Sequence, residues 1–328
     1  AQNSNQQINT FSIGFENKKF DESRDARTVA ESINSNHHEV IINELDLYRN
    51  MDEILLNFDE PFADSSALAT YLVAQKTSPL VKVALTGDGG DEVFGGYNKY
   101  YMGKLNAYFT NILHPKAFLL FKSFILPLLK TSTDNRGIKF KLKKLINSID
   151  YDENFYYKII SLGFSESELK NLLNGFQQDI LIQSYKNKIG IPGRGIKDFR
   201  LIDKQISLEG DMLVKVDRTS MLTSLECRAP FLNKDLWNFT NQLPDDFLIK
   251  KTNKKYILKK AFESYFPSHF FDKSKQGFGV PVGDWLRSSL KNELLSYTDT
   301  DLLKTQQIFN VELIRNIVLN HLSSKEDN

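Results

Sequence analysis

Three acidic side chains, Asp88, Asp91 and Glu92, fall within five residues and are interleaved with Gly87, Gly89 and Gly90. Glycines accept positive φ and let a ligand approach the backbone, and carboxylates are hard oxygen ligands suited to a Mg2+ ion carried by phosphates. By itself the segment reads equally as a solvated acidic turn, because Asp and Gly are also favoured there. A lysine-rich stretch, Lys250, Lys251, Lys254, Lys255, Lys259 and Lys260, reads as a solvated face or a weak nucleic-acid patch. His37 and His38 are adjacent, so an extended strand sends them to opposite faces and they cannot share one metal. Cys227 is the only cysteine, which excludes an intramolecular disulfide and fits a reducing, cytoplasmic setting.

The elements around these residues follow from periodicity. Phe11, Ile13 and Phe15 alternate within a strand over 10–15, and a second strand covers 38–42. Between them Asp21 is expected to cap a helix with Ala26, Val29, Ala30 and Ile33 on one face. Asp46 is expected to open a helix carrying Met51, Ile54, Leu55 and Phe58, and Ser65 or Ser66 to cap a third with Leu68, Tyr71 and Leu72. A strand over 81–86 runs straight into the acidic glycine turn. Ligands of open α/β sheets gather beyond the carboxyl ends of the strands, which is where this turn stands.

From Met102 onward the pattern is helical, with helices expected near 104–113, 116–130, 138–149, 151–161, 165–174, 201–222, 233–241, 254–266, 284–296 and 311–322. Strand–helix alternation followed by helices predicts an α/β nucleotide-binding layer with a parallel sheet over 1–102 and a large helical extension over 103–328, together one domain in function. Composition is globular, with 41% hydrophobic and 25% charged residues. The 42 basic and 41 acidic residues leave no field to gather nucleic acid or a membrane surface. The most apolar stretch, 118–129, is shorter than the ~20 residues of a membrane span.

With its flanks, the run Val83-Ala84-Leu85-Thr86-Gly87-Asp88-Gly89-Gly90-Asp91-Glu92-Val93-Phe94-Gly95-Gly96-Tyr97 closely resembles the signature of the glutamine-hydrolysing asparagine synthetases. Further matching blocks follow the same order: residues 10–15, 59–66, Val216 to Met221 with Ser224 to Leu232, Lys255 to Lys260, and Lys275 to Pro281. The resemblance covers residues 10 to about 290 and implies the synthetase domain of that family, of class B type.

It implies a fold of the ATP-pyrophosphatase (adenine nucleotide alpha hydrolase-like) type and an ATP-dependent carbon–nitrogen ligase. An aspartate side chain would attack the α-phosphorus of ATP, giving an acyl adenylate and pyrophosphate, and ammonia released from glutamine by a glutaminase domain would displace AMP. Asp91 and Glu92 match ligands of the Mg2+–pyrophosphate unit, and Asp88 a general base. Lys255 matches a lysine that contacts the phosphates, and Ile13, Thr86 and Gly87 match the adenosine pocket, although Ile13 also suits core packing. Glu226 and Arg228 form a structural ion pair or touch substrate, and Lys275 reaches the phosphates or belongs to a lid. Cys227 reads as a small packed side chain, and Lys139, Lys141, Lys143 and Lys144 as solvent-facing. Partners implied are small molecules, with neither nucleic acid nor membrane, and a homodimer is compatible.

The family's Ser-Gly-Gly-x-Asp-Ser phosphate loop and its glutaminase domain have no counterpart in these residues. The expectation is that the segment alone is inactive in adenylation and works as part of a longer chain. Two other readings stay open: amidation of a different carboxylate, such as a sugar acid, and a non-catalytic nucleotide-binding module.

Overall fold

The computed structural model describes residues 3–324, apart from 19, 130–137, 152–154, 161–163, 165, 177–179, 191–194, 269 and 273–278. These residues divide into two compact units, one of residues 1–96 with 208–282, the other of 97–207 with 283–328.

In the first unit, β1 (Asn9–Phe15) pairs in parallel with β2 (Asn36–Ile42), in register from Asn9 opposite Asn36 to Phe15 opposite Ile42. The alternation at Ile13 and Phe15 buries both side chains. His37 bonds Thr10 and Ser12, whereas His38 stacks on Phe11 with ring centroids 5.0 Å apart, so the two imidazoles occupy opposite faces.

Helix α1 (Ser23–Ser32) starts after Glu22, with the Asp21 carboxylate accepting from the Ser23 N–H at 3.1 Å. Helix α2 (Glu44–Leu55) opens two residues before Asp46. Asn43 Oδ1 accepts from the Leu45 and Asp46 amides, and Asp46 Oδ2 accepts from the Asn43 amide at 3.1 Å. This reciprocal capping box satisfies donors that a helix begun at Asp46 would leave bare.

Helix α3 (Ser66–Thr77) is buried along Ala67, Ala69, Tyr71, Leu72 and Ala74, and packs on the Leu213–Leu222 helix. Its cap comes from Asp64, whose Oδ1 accepts from the Ser66 amide at 2.9 Å, and the Ser65 side chain makes no capping bond. Lys215, 6% exposed, donates to Asp64 Oδ2 at 2.7 Å and Ser66 Oγ at 2.8 Å. One turn on, Arg218 pairs with Asp59. Burial pushes the Asp64 carboxyl up, but the Lys215 charge and the hydrogen bonds from Lys215 and Ser66 hold it below its ordinary range.

The anticipated parallel sheet takes a different form. Strand β3 (Val83–Leu85) pairs in parallel with β4 (Glu226–Arg228), and β5 (Ile249–Lys250) forms a hairpin with β6 (Asn253–Lys254). Among the described residues, then, two parallel pairs and one antiparallel pair stand as separate ladders. The strand foreseen over 81–86 shortens to three residues, with Val83 43% and Leu85 75% exposed, which gives it little apolar face to bury in a wider sheet.

The second unit is helical. Its core is centred on Asp203, fully buried, which takes the Lys99 ammonium at 2.5 Å and the Tyr156 hydroxyl at 2.7 Å. Tyr156 stacks on Phe199 at 4.2 Å. These side chains come from the helices Asn98–Ile112, Phe155–Ile160 and Ile196–Asp203.

Candidate active site

The acidic turn is held by the β3–β4 ladder. After Leu85 opposite Arg228, the Thr86 amide adds one more bond to the Arg228 carbonyl at 2.8 Å, and the chain then bends away through Gly87, Asp88 and Gly89. Gly89 has φ +80°, a conformation L side chains rarely adopt, and a Cβ there would lie 2.0 Å from Leu232 Cδ2. A five-residue helix, α4 (Gly90–Phe94), follows, its Phe94 edge-on to Phe231 at 5.8 Å. Residues 229–232, continuing from β4, thus form the wall on which the turn rests.

Asp91 lies in the first turn of α4, and its carboxylate meets Lys255. Lys255 follows the β5–β6 hairpin and precedes the Tyr256–Phe262 helix, with φ 52° and ψ 37°. Its Nζ lies 3.2 Å from Asp91 Oδ1, with side-chain exposures of 28% and 23%. Gly96 makes the approach possible: a Cβ on it would fall 1.7 Å from Asp91 Oδ1 and 2.4 Å from Lys255 Cε. Asp88 is half-buried and adds its negative charge to the surroundings of Cys227. Burial pushes the Cys227 thiol up; a hydrogen bond with Ser220 opposes the rise, and the Asp88 carboxylate adds to it least. A thiol so held is a poor nucleophile at neutral pH.

The other residues singled out from sequence fall as follows. The Thr86 hydroxyl oxygen is buried and has no hydrogen-bond partner among the described residues. Glu92 is 1% exposed, inside the packing of α4 and not at its mouth. Ile13 is buried on β1, in the other parallel pair. Arg228 and Glu226 form an exposed ion pair at 2.8 Å, of a kind worth little to stability. Lys275 and the side chains of Lys139, Lys141 and Lys144 lie outside the described residues.

A model of the family described as asparagine synthase matches residues 1–328. The chain belongs to the asparagine synthase family. Among relatives, it is 28% identical over 327 residues to asparagine synthetase [glutamine-hydrolyzing] 1 of Bacillus subtilis (strain 168), covering 98% of this chain and 50% of that protein. A putative asparagine synthetase [glutamine-hydrolyzing] of Mycobacterium tuberculosis (strain H37Rv) is 32% identical over 297 residues, 89% of this chain and 44% of its own length. Putative asparagine synthetase [glutamine-hydrolyzing] 2 of Methanocaldococcus jannaschii is 35% identical over 229 residues, 68% and 42% of the two chains. This member of the asparagine synthase family spans about half the length of the relatives it matches. Among its described residues no helix is long and apolar enough to cross a membrane.

A carboxylate and an ammonium held together just beyond the end of a strand suit the binding of an anion with its counter-ion. Whether the site fits Mg2+ is a question of donors. Among the described residues no group of three or more His, Cys, Asp or Glu is disposed around one point. Mg2+ bound with phosphates needs only one or two carboxylates, the remaining positions going to water and phosphate oxygens. Asp91, partly exposed at the start of α4, is a carboxylate of the required kind, whereas Glu92 in this arrangement is enclosed.

Proposed function

We propose that the chain is the amide-forming, ATP-using half of a glutamine-dependent asparagine synthetase, acting within a longer protein in the cytoplasm. The observation that carries the reading is the pairing of Asp91 with Lys255, two residues from separate segments that meet beside the glycine turn after β3. Family membership and the relatives' names supply the reaction class; the residues supply a division of labour.

A carboxylate resists attack by an amine, and adenylation makes it reactive by giving it a good leaving group. Lys255 stands as a compact positive charge for the departing pyrophosphate, oriented by Asp91 before nucleotide arrives. The buried Thr86 hydroxyl, with no hydrogen-bond partner among the described residues, is matched to a ligand oxygen or nitrogen arriving at the end of β3. Gly87 leaves the backbone bare beside it for the nucleoside, and Ile13 supplies apolar surface from β1. Asp88 accepts a proton from the attacking ammonia. Asp91 would hold Mg2+, whose chemistry when bound is to neutralise charge on the phosphates; Glu92 supports α4 from within.

The reading is tested by pyrophosphate release from ATP by the longer protein, screened across acceptors. Stimulation by aspartate with amide formation supports it. Release that ignores aspartate and responds to another carboxylate, such as a sugar acid, replaces the substrate but keeps the chemistry. No release with any acceptor, together with measurable nucleotide binding, leaves the non-catalytic module.

A further inference from the structure

A second lysine of the same segment is bonded to residues that flank Lys255 in the chain. Lys259 lies one turn along the Tyr256–Phe262 helix, and its amide donates to the Lys255 carbonyl at 2.9 Å. Its ammonium donates to Asn253 Oδ1 at 3.0 Å and to the Phe271 carbonyl at 3.3 Å. Asn253 belongs to β6, the strand that ends immediately before Lys255. The side chain therefore bridges the residues before and after Lys255 and closes a ring around it.

Lys255 needs such a closure. Its φ of 52° is disfavoured for any residue with a Cβ, and a conformation of that kind persists only where its surroundings over-determine it. Burial, and then the like charge of Lys255, push the Lys259 ammonium down from its ordinary range, with Asp272 opposing, so the two lysines lie within electrostatic reach. Lys260 makes the contrast: it is exposed and pairs with Glu263 at 2.6 Å, three residues along the chain.

We infer that Lys259 is a positioning residue for Lys255: by tying Asn253 and the Phe271 carbonyl to the helix start, it holds Lys255 in the left-handed conformation that aims its ammonium at Asp91. The catalytic consequence rests on the function proposed above, but the geometric claim does not. Competitive acylation of the intact protein with acetic anhydride, read at Lys255 by mass spectrometry, separates the two. Lys255 should label severalfold faster in Lys259→Met, return toward the wild-type rate in Lys259→Arg and stay unchanged in Lys260→Met. In the longer protein, Lys259→Met should lower kcat/KM for ATP about tenfold through misplacement of Lys255. Unchanged Lys255 labelling in a Lys259→Met protein that melts like wild type overturns the inference, whatever the activity. Faster labelling in a protein whose wild type releases no pyrophosphate upholds the positioning role and removes the proposed function instead. If Lys259→Met fails to fold, Asn253→Ala removes one anchor at the surface: faster labelling supports the inference and an unchanged rate overturns it.

Discussion

The ammonium of Lys255 stands 3.2 Å from Asp91 Oδ1, and the two side chains meet over the bare Cα of Gly96. Neither residue is deeply buried, so the pair contributes little to folding and its value lies in what it holds ready. A double-mutant cycle with Asp91→Asn and Lys255→Met, followed by urea unfolding, should give a coupling of about 0.5–1 kcal/mol. Pyrophosphate release by the longer protein should fall by about 100-fold or more in each single variant, since each removes charge placed for the transition state. A large coupling with intact activity would mark the pair as structural.

Gly96→Ala pushes a methyl group into that pair. The atoms it meets are the ends of flexible side chains, so the pair gives way before the backbone does. Stability should drop by about 1 kcal/mol, while activity falls as far as in Lys255→Met. Gly89→Ala is the counterpart: its positive φ and the contact with Leu232 make the cost conformational, about 2 kcal/mol or more by urea denaturation.

The pair of buried Lys215 with half-buried Asp64 sets a pH dependence. Because the folded Asp64 carboxyl lies below its ordinary 3.8, its contribution is complete above that value and is lost as pH falls through the depressed folded value. Asp64→Asn leaves the Lys215 ammonium buried beside a neutral amide and should cost about 3 kcal/mol at pH 7. Denaturation curves of wild type and variant should stay a constant distance apart above about pH 5 and converge only under more acidic conditions. Convergence near neutrality would contradict the assignment.

Cys227 should react slowly with thiol reagents, with a rate that climbs only at pH values above the ordinary thiol range, because burial favours the protonated form. Cys227→Ala should keep most activity. Rapid labelling at pH 7, or complete inactivation by this substitution, would reveal a role the geometry does not provide.

How far the sequence disclosed this arrangement depended on the range of the forces involved. Elements set by local periodicity were legible: β1, β2 and helices α1 to α3 lie within a few residues of their expected places. The capping box at Asn43 and Asp46 was also written locally, in the three-residue spacing of an amide and a carboxylate, and starting α2 at Asp46 overlooks it. The short helices Ile180–Ile189 and Thr300–Gln306 lie outside the segments that periodicity marks as helical, and the run expected over 201–222 is interrupted by wider π-helical turns over Lys204–Met212. Strand β3 has too few residues to show a period, and its partner β4 comes from far along the chain. Nothing in the spacing of Asp91 and Lys255 announces their meeting; only the family resemblance placed both in one site, and their contact depends on a hairpin and a glycine whose purposes appear in three dimensions.

The parallel ladder between β3 and β4 joins segments roughly 140 residues apart, a long loop to close before the pairing returns anything. During synthesis, Gly87 to Glu92 emerge from the ribosome well before Glu226 to Leu232, the wall they rest on. The nascent acidic turn must therefore wait, solvated and unshaped, until the later segment arrives, and this corner of the fold takes shape only after the whole helical stretch between the two strands has been made.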